Sequence, residues 1–299
     1  MNDQAERLRF LARTLQDQVR SQVFEAVQNC RVIAVTSGKG GVGKTNLALG
    51  LALALAKAKY RVLLWDADLG LANVDIILGI VPKYNLTHVL KGERSIREVL
   101  IEGPAGLRVI PGGSGIEEIA NVEPLVLTKI LREMAALDSK LDYLFIDTGA
   151  GITRQVLAVA LAATEVMLVT TPEPTALTDA YGMIKVLKNH RGAHRIKLIV
   201  NMAKNEREGE AAAEKLVRVA RQFLGVELKV VGYVPYDRAV PDAVKKNQHY
   251  YLASPHAPAS LSTLKIASSL GKIKKDGNSG LKDFVEQVVS FLQKKPREG

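Results

Sequence analysis

Four glycines and two lysines stand together in residues 38–45, which read Gly38-Lys39-Gly40-Gly41-Val42-Gly43-Lys44-Thr45. Their spacing fits the pattern G-x-x-x-x-G-K-[ST]. They follow the apolar stretch Val32–Thr36 and open the helical pattern Asn46–Ala58, which is the strand–loop–helix context that this pattern requires. The glycines let successive backbone N–H groups turn towards phosphate oxygens, and the helix N-terminus adds partial positive charge. The feature predicts a phosphate-binding loop in an α/β fold.

The side chains of this loop have distinct predicted tasks. Lys44 is expected to reach the β- and γ-phosphates, and the Thr45 hydroxyl is expected to ligate Mg²⁺. Lys39 is unusual, because one chain needs no second lysine early in the loop to cradle phosphates. From the residues alone, Lys39 is either a solvated charge or a contact to something outside its own chain. The other predicted contacts to the nucleotide are Gly38, Gly40, Gly41, Val42, Gly43 and Asn46.

Short apolar, β-branched stretches alternate with helical patterns after residue 30. The predicted strands are Arg31–Thr36, Arg61–Trp65, Leu107–Ile110, Tyr143–Ile146, Val166–Thr170, Ile196–Val200 and Val230–Val234. The predicted helices between them include Asn46–Ala58, Leu125–Ala136 and Asp179–Lys188. Nearly continuous apolar strands are typical of strands that are buried on both faces. We therefore expect a doubly wound, mostly parallel sheet with helices on both faces and ligands at the strand ends.

Aspartates follow two of the predicted strands. Asp66 and Asp68 come after Arg61–Trp65, and Asp147 comes after Tyr143–Ile146. A hard cation beside a triphosphate prefers carboxylates placed next to the phosphate loop. Taken singly, each aspartate is also a common N-cap for a helix that follows a strand.

The run KGGVGKT resembles the deviant phosphate loop of the MinD/ParA superfamily of dimerising ATPases. The resemblance covers most of residues 31–270 and is strong in residues 66–79, DADLGLANVDIILG. It implies that Lys39 crosses a face-to-face dimer and contacts the nucleotide of the partner, so that ATP binding and dimerisation are one linked equilibrium.

The same resemblance implies roles for the aspartates. Asp147 matches the aspartate that acts on Mg²⁺, mostly through water, and Asp66 joins it as a predicted metal residue. Asp68 matches the second aspartate of the family's D-x-D motif, which positions the attacking water, so that Asp68, Lys39 and Lys44 are the predicted catalytic residues. The family usually has proline after the aspartate of its second motif. The run Asp147-Thr148-Gly149 departs from that pattern, which leaves the conformation of this turn open.

Two later strand ends carry residues that surround adenine in this family. They are Asn201 and the turn Pro235-Tyr236-Asp237. The resemblance implies base contacts from Asn201, Pro235 and Asp237, although Asn, Pro and Asp are also ordinary turn residues. ATP rather than GTP is implied by the resemblance and by the absence of an N-K-x-D motif.

The C-terminal segment 281–299 has an apolar face with basic flanks, behind a polar segment at 271–280. Residues 265–299 hold eight Lys/Arg against four Asp/Glu, and so contribute +4 of the net charge of +10. The pattern fits a last helix packed on the domain, or shallow insertion into an anionic membrane surface. The C-terminal membrane-targeting helix of the family favours insertion. The predicted membrane residues are Leu281, Phe284, Val285, Val288, Phe291 and Leu292.

The N-terminal segment 1–29 carries a helical apolar stripe ahead of the first strand. Its start resembles the D-Q-A-x-x-L-R motif of the FlhG (FleN, YlxH) family, whose MinD-like ATPases limit flagellar number and placement. The resemblance implies binding and stimulation of an FlhF-type GTPase, and contact with flagellar C-ring components. A helix docked on its own domain is the simpler alternative. The predicted partner-binding residues are Asp3, Gln4, Ala5, Leu8 and Arg9.

The cysteine content and the net charge limit the possible classes of protein. One cysteine, Cys30, excludes a disulfide framework and a cysteine-held metal cluster within one chain. We expect a cytoplasmic ATPase switch with its catalytic domain at 30–270, which is peripheral on the cytoplasmic membrane when it is bound to ATP and has no specific nucleic-acid partner. A ParA-like DNA-partition ATPase remains the first alternative, because the charge of +10 permits salt-sensitive DNA binding. A cell-division MinD-type membrane ATPase is the second.

Overall fold

The computed structural model describes residues 30–68, 73–112, 133, 141–190 and 195–270, and residues 284, 285, 287, 288, 290 and 291. Within these ranges, eight strands form one sheet in the order β3-β4-β2-β5-β1-β6-β7-β8. The strands are β1 (Arg31–Ser37), β2 (Val62–Ala67), β3 (Ile101–Glu102), β4 (Arg108–Ile110), β5 (Tyr143–Ala150), β6 (Glu165–Thr170), β7 (Ile196–Ala203) and β8 (Lys229–Pro235).

Helices connect the strands and cover both faces of the sheet. The α-helices of the described ranges are α1 (Lys44–Lys57), α2 (Val74–Leu78), α3 (Leu86–Leu90), α4 (Ile96–Val99), α5 (Arg154–Ala162), α6 (Pro174–Asn189), α7 (Glu206–Val219), α8 (Ala239–Val244), α9 (Tyr250–Ala253) and α10 (Pro258–Ser269). A 3₁₀ turn at Pro104–Gly106 precedes β4, and a π-helical turn at Ala220–Leu224 extends α7.

The predicted doubly wound, mostly parallel α/β fold is confirmed. Every predicted strand is present, and among the described strands β3 alone pairs antiparallel, with β4. Strand β3 was not predicted, because a strand of two residues is too short to show a pattern. The predicted helix Asp179–Lys188 begins earlier, at Pro174. The predicted helix 125–136 lies outside the described residues except for Glu133, as do segments 1–29 and 271–280.

The central strand β1 shows how the sheet separates two apolar layers. Its alternate residues Ile33 and Val35 pack into the layer formed with α1 and α10, whereas Val32 and Ala34 pack into the opposite layer. Successive side chains of a strand point to opposite faces, so that a strand with apolar residues throughout must be covered on both sides. This requirement accounts for helices on both faces.

Helix α1 is buried along almost its whole length, and its close packing depends on Gly50. A Cβ at Gly50 would lie 2.9 Å from the Tyr250 hydroxyl and 3.1 Å from His249 Cε1. His249 also fixes the first turn of α1, since its Nε2 donates to the Asn46 carbonyl at 2.8 Å and its Nδ1 accepts from the Tyr251 N–H at 3.2 Å. Burial lowers the pKa of His249 to about 4. The neutral ring therefore locks the start of α1 against α9.

Candidate functional site

The glycine-rich loop joins β1 to α1 in a conformation that requires glycine. Gly41 and Gly43 have φ values of 79° and 82°, in the left-handed region. A Cβ on Gly43 would overlap the Asn201 side-chain amide, and a Cβ on Gly38 would overlap the backbone carbonyl of Asp179. The loop is thus held between the end of β7 and helix α6, with its backbone wrapped at the N-terminus of α1.

A buried ion pair lies directly behind the loop. Lys44 Nζ is 2.9 Å from Asp147 Oδ1, and the side chains are 7% and 0% exposed. Burial raises the pKa of the Asp147 carboxyl, and the neighbouring Lys44 ammonium opposes that rise. The second carboxyl oxygen, Oδ2, is buried with no hydrogen-bond partner among the described residues. An unsatisfied buried carboxylate oxygen at this position suits a bound cation or its water.

Asp66 lies beside Asp147 at the ends of the neighbouring strands β2 and β5. Its carboxylate accepts backbone N–H bonds from Asp68 at 3.2 Å, Asn73 at 3.1 Å and Val74 at 3.2 Å, which tie the residue after β2 and the start of α2 to this side chain. Burial and then the charge of Asp147 raise the pKa of Asp66 to about 7. Asp66 therefore fixes the position of the Asp68 backbone and lies next to Asp147, the predicted metal residue.

Asp68 lies near the end of β5. A Cβ on Gly149, in the last residues of β5, would lie 3.7 Å from Asp68 Oδ1. The structure thus brings Lys44, Asp66, Asp68 and Asp147 together near the carboxyl ends of the strands β2 and β5. In the described part of the chain, no three His, Cys, Asp or Glu side chains form a cluster able to hold a metal ion. Mg²⁺ retains several waters and binds through one or two carboxylates plus substrate phosphates, so the donor set with Thr45 fits it.

Lys39 points away from this cluster. Its Nζ contacts Glu173 Oε2 and Thr175 Oγ1, both at 2.9 Å, at the start of α6. The ion pair is open to water, with Lys39 39% and Glu173 66% exposed. Glu173 and Thr175 were not predicted as partners of Lys39, although they follow the carboxyl end of β6, where ligands of such sheets bind.

The three predicted base contacts have structural partners. Asn201 Nδ2 donates to the Val42 carbonyl at 2.8 Å and so ties β7 to the phosphate loop. Asp237 accepts from the Ala239 N–H at 2.9 Å and from the Ala259 N–H at 3.1 Å, which uses both carboxyl oxygens. Pro235 ends β8 beside Ala203 of β7. The role of these residues at a base stays a prediction.

The described C-terminal residues lie against the domain. Phe284, Val285 and Val288 are buried in an apolar cluster with β1, β2, β5, α3, α4 and α5, and Phe291 is partly buried and edge-on to His190, with ring centroids 5.6 Å apart. We expected these side chains to be available to a membrane. Instead, Phe284, Val285 and Val288 pack on the sheet, which already removes them from water. The described residues contain no helix long and apolar enough to cross a membrane. Leu281, Leu292 and the N-terminal motif lie outside the described residues.

Known proteins are similar to this chain in fold and in sequence. Residues 33–250 match the CobQ/CobB/MinD/ParA nucleotide binding domain. The chain is 43% identical to the antiactivator FleN of Pseudomonas aeruginosa over 87% of this chain and 93% of that one. It is 36% identical to the flagellum site-determining protein YlxH of Helicobacter pylori over 98% and 100%. The septum site-determining protein MinD of Pyrococcus horikoshii, solved with Mg-ADP, superposes with a TM-score of 0.68 at 25% identity, over 81% of this chain and 96% of that one.

Proposed function

Because this chain belongs to the MinD/ParA family of nucleotide-binding ATPases and is of the FlhG type, we propose that it is an ATP-driven switch that sets the number or placement of flagella. The observation that carries the proposal is the glycine loop with the buried Lys44–Asp147 pair behind it, in a chain 43% identical to FleN. The family and the donor set support binding of a nucleotide and Mg²⁺. We propose further that the nucleotide is ATP and that it is the substrate.

The residues divide the chemistry between them. The loop N–H groups and Lys44 hold the phosphates and neutralise the charge that develops on them. Thr45 and Asp147 would hold Mg²⁺, which would supply further charge neutralisation, and Asp66 would support that position. Asp68, whose N–H donates to the Asp66 carboxylate, orients the attacking water.

Dimerisation is the proposed output of ATP binding. Lys39 makes its contacts with Glu173 and Thr175 inside one chain. An exposed ion pair of this kind contributes only about 0–1 kcal/mol. Lys39 can therefore exchange it at low cost for the phosphates of a nucleotide on a facing protomer. That exchange would make ATP the condition for a homodimer.

The two ends of the chain are the proposed partner sites. Segment 1–29 engages an FlhF-type GTPase, and flagellar C-ring components bind elsewhere on the chain. Segment 281–299 binds the cytoplasmic membrane as a peripheral anchor. Since Phe284, Val285 and Val288 pack on the domain, membrane binding requires this face to leave the sheet.

ATP turnover and sizing test the switch. Asp68→Ala is expected to stop hydrolysis and to trap an ATP-bound dimer on size-exclusion chromatography, while Lys39→Ala is expected to lower the dimer fraction. Lys44→Met serves as the control without nucleotide binding. Hydrolysis by Asp68→Ala at the wild-type rate contradicts the assignment of the water-positioning residue.

The flagellar role has its own test. A peptide of residues 1–29 is added to an active FlhF-type GTPase, and stimulated GTP hydrolysis supports the proposal. Without stimulation, sedimentation with anionic vesicles or DNA distinguishes a cell-division MinD-type ATPase from a ParA-like one. Loss of vesicle binding on deletion of residues 281–299, with ATP turnover retained, assigns the membrane contact to that segment.

A further inference from the structure

A cavity of about 340 Å³ opens at the edge of the sheet opposite the phosphate loop. It lies at the amino ends of β6, β7 and β8, whereas the phosphate loop follows the carboxyl end of β1. Its volume is at the lower end of the range of about 300–1,000 Å³ for ligand pockets, which suits a small ligand. Its lining residues are Thr164, Glu165, Arg195, Ile196, Lys197 and Lys229. None of these residues takes part in the proposed ATP switch.

The strand register places two lysines next to each other in this cavity. Lys197 of β7 is paired with Lys229 of β8, and Lys229 is exposed with no ion-pair partner among the described residues. Like charges that lie opposite one another on neighbouring strands repel and destabilise the sheet. Natural sequences break such local rules mostly at functional sites. The two lysines therefore indicate a site that is completed by an anion.

The carboxylate of the cavity does not balance its positive charge. Glu165 Oε2 accepts from Lys197 Nζ at 2.5 Å, and Oε1 of the same carboxylate accepts from Arg31 at the start of β1. The lining has three cations against one carboxylate, so it carries a net charge of +2. The side chains of Arg31, Glu165 and Lys197 are only 16–19% exposed, so water and salt screen their charges less than on an open surface.

Hydrogen bonds hold the wall of the cavity in place. Arg195 Nη1 donates to the Leu161 carbonyl at 3.2 Å and to the Ala163 carbonyl at 3.0 Å, at the end of α5. Thr164 Oγ1 accepts from the Val32 N–H at 3.0 Å and donates to the Val32 carbonyl at 2.6 Å, which ties the start of β6 to β1. Because these groups are already ordered, binding of an anion would require little further ordering of the wall.

We propose that this cavity binds a terminal phosphate group, which is carried by a small soluble molecule or by a lipid headgroup. Such a phosphate carries about −1.5 to −2 charge at pH 7 and presents three acceptor oxygens. That charge matches the +2 of the lining. Lys197 and Lys229 hold the phosphate between them, which removes their mutual repulsion, and Arg195 supplies positive charge from the wall.

The cavity adjoins the points at which both terminal segments join the domain. Arg31, which shares Glu165 with Lys197, comes two residues after segment 1–29. Arg31 also donates to the carbonyl of Leu270, directly before segment 271–280. A phosphate on Lys197 competes with Glu165 for that lysine, and so acts on the contacts that link β1, β6 and the end of α10. Phosphate binding is thus in a position to influence both terminal segments.

Calorimetry with inorganic pyrophosphate tests the site in the full chain. Saturating Mg-ADP is added first to fill the phosphate loop, so that binding of pyrophosphate reports on the cavity. Lys229→Ala is expected to weaken pyrophosphate binding by about tenfold, at the lower end for loss of one charged hydrogen bond because Lys229 is exposed. Lys229→Arg should restore binding, and Lys215→Ala, which removes an exposed lysine of α7 outside the cavity, is the matched control. ADP affinity should be unchanged in all three variants.

Vesicles distinguish the two sources of the phosphate. Sedimentation compares the variants on phosphatidylcholine vesicles with and without phosphatidic acid, whose headgroup is a terminal phosphate. If a lipid supplies the phosphate, Lys229→Ala should bind the phosphatidic acid vesicles more weakly than Lys215→Ala does. If a soluble molecule supplies it, the two variants should bind these vesicles equally, while their affinities for pyrophosphate still differ.

Two results would overturn the proposal. One is equal binding of pyrophosphate and of vesicles by Lys229→Ala and wild type. The other is equal weakening in Lys229→Ala and Lys215→Ala, because net charge alone then explains the effect. Failure of the proposed nucleotide site has a different signature, since the first titration with Mg-ADP would show no binding, and Lys229→Ala would still be compared with Lys215→Ala.

Discussion

Removing the charge of Lys44 should destabilise the protein even without nucleotide. In Lys44→Met, Asp147 keeps its buried position, with 0% of its side chain exposed, but loses the ammonium 2.9 Å away. Breaking a buried ion pair on one side costs about 3–5 kcal/mol, because a charge is left in a medium that solvates it poorly. The free energy of unfolding of ligand-free Lys44→Met is therefore expected to fall by about that amount.

The free energy of unfolding of Lys44→Met should also depend on pH. Without Lys44, the largest effect that opposes burial is lost, so the pKa of Asp147 in the folded state rises further above its unfolded value of about 4. Between these two pKa values the folded state binds the extra proton. The stability that this proton supports is then lost as pH rises, by about 1.4 kcal/mol per unit. Lys44→Met should lie closer to wild type at pH 5.5 than at pH 8.

Urea unfolding at both pH values measures this, with fluorescence of Trp65, the single tryptophan, as the signal. The matched control is Lys44→Met/Asp147→Asn, in which neither charge remains. The double variant should recover most of the lost stability and much of the wild-type pH response. If Lys44→Met unfolds within about 1 kcal/mol of wild type at pH 8, below the range for a broken buried pair, the pair does not hold this site together.

Three further changes give separate tests. Gly43→Ala forces a Cβ into the Asn201 amide at a φ of 82°, so ADP binding measured by calorimetry should be lost. Asp237→Ala removes a cap shared by two helix starts, so thermal unfolding should show a loss of about 1–2 kcal/mol while pyrophosphate affinity is unchanged. Burial lowers the pKa of His249 to about 4, so the unfolded state binds the extra proton below pH 6.5. Wild-type protein should lose up to about 3 kcal/mol relative to His249→Gln between pH 6.5 and 4, and parallel pH profiles of urea unfolding would contradict this.

The phosphate loop and the sheet were predictable because local sequence determines them. A left-handed φ such as that of Gly43 favours glycine, so the residue type at that position indicates the backbone conformation. Strands buried on both faces leave continuous apolar runs, and β1 is the clearest example. Asp66 and Asp147 were also predictable as neighbours, since the carboxyl ends of parallel strands meet at one edge.

Contacts between distant parts of the chain were not predictable in this way. Lys39 and Glu173 are 134 residues apart, Val42 and Asn201 are 159 apart, and Asn46 and His249 are 203 apart. No local pattern specifies which of many polar residues will meet across the fold. Lys39 could therefore be recognised as unusual from the sequence, but its partners Glu173 and Thr175 could be identified only from the structure.

The C-terminal segment shows why an apolar helical face is ambiguous in sequence. The same spacing of large apolar residues suits a protein core and a bilayer, because both remove the face from water. Full burial of a Val or Phe side chain contributes about 1.5–3 kcal/mol, and Phe284, Val285 and Val288 are buried on the sheet. A membrane must offer comparable burial and also compensate for exposing the sheet beneath. Under the proposed membrane binding, basic flanks on an anionic surface and two anchors in a dimer would provide that additional free energy. A single chain should therefore keep the segment docked, and membrane binding should depend on the dimer.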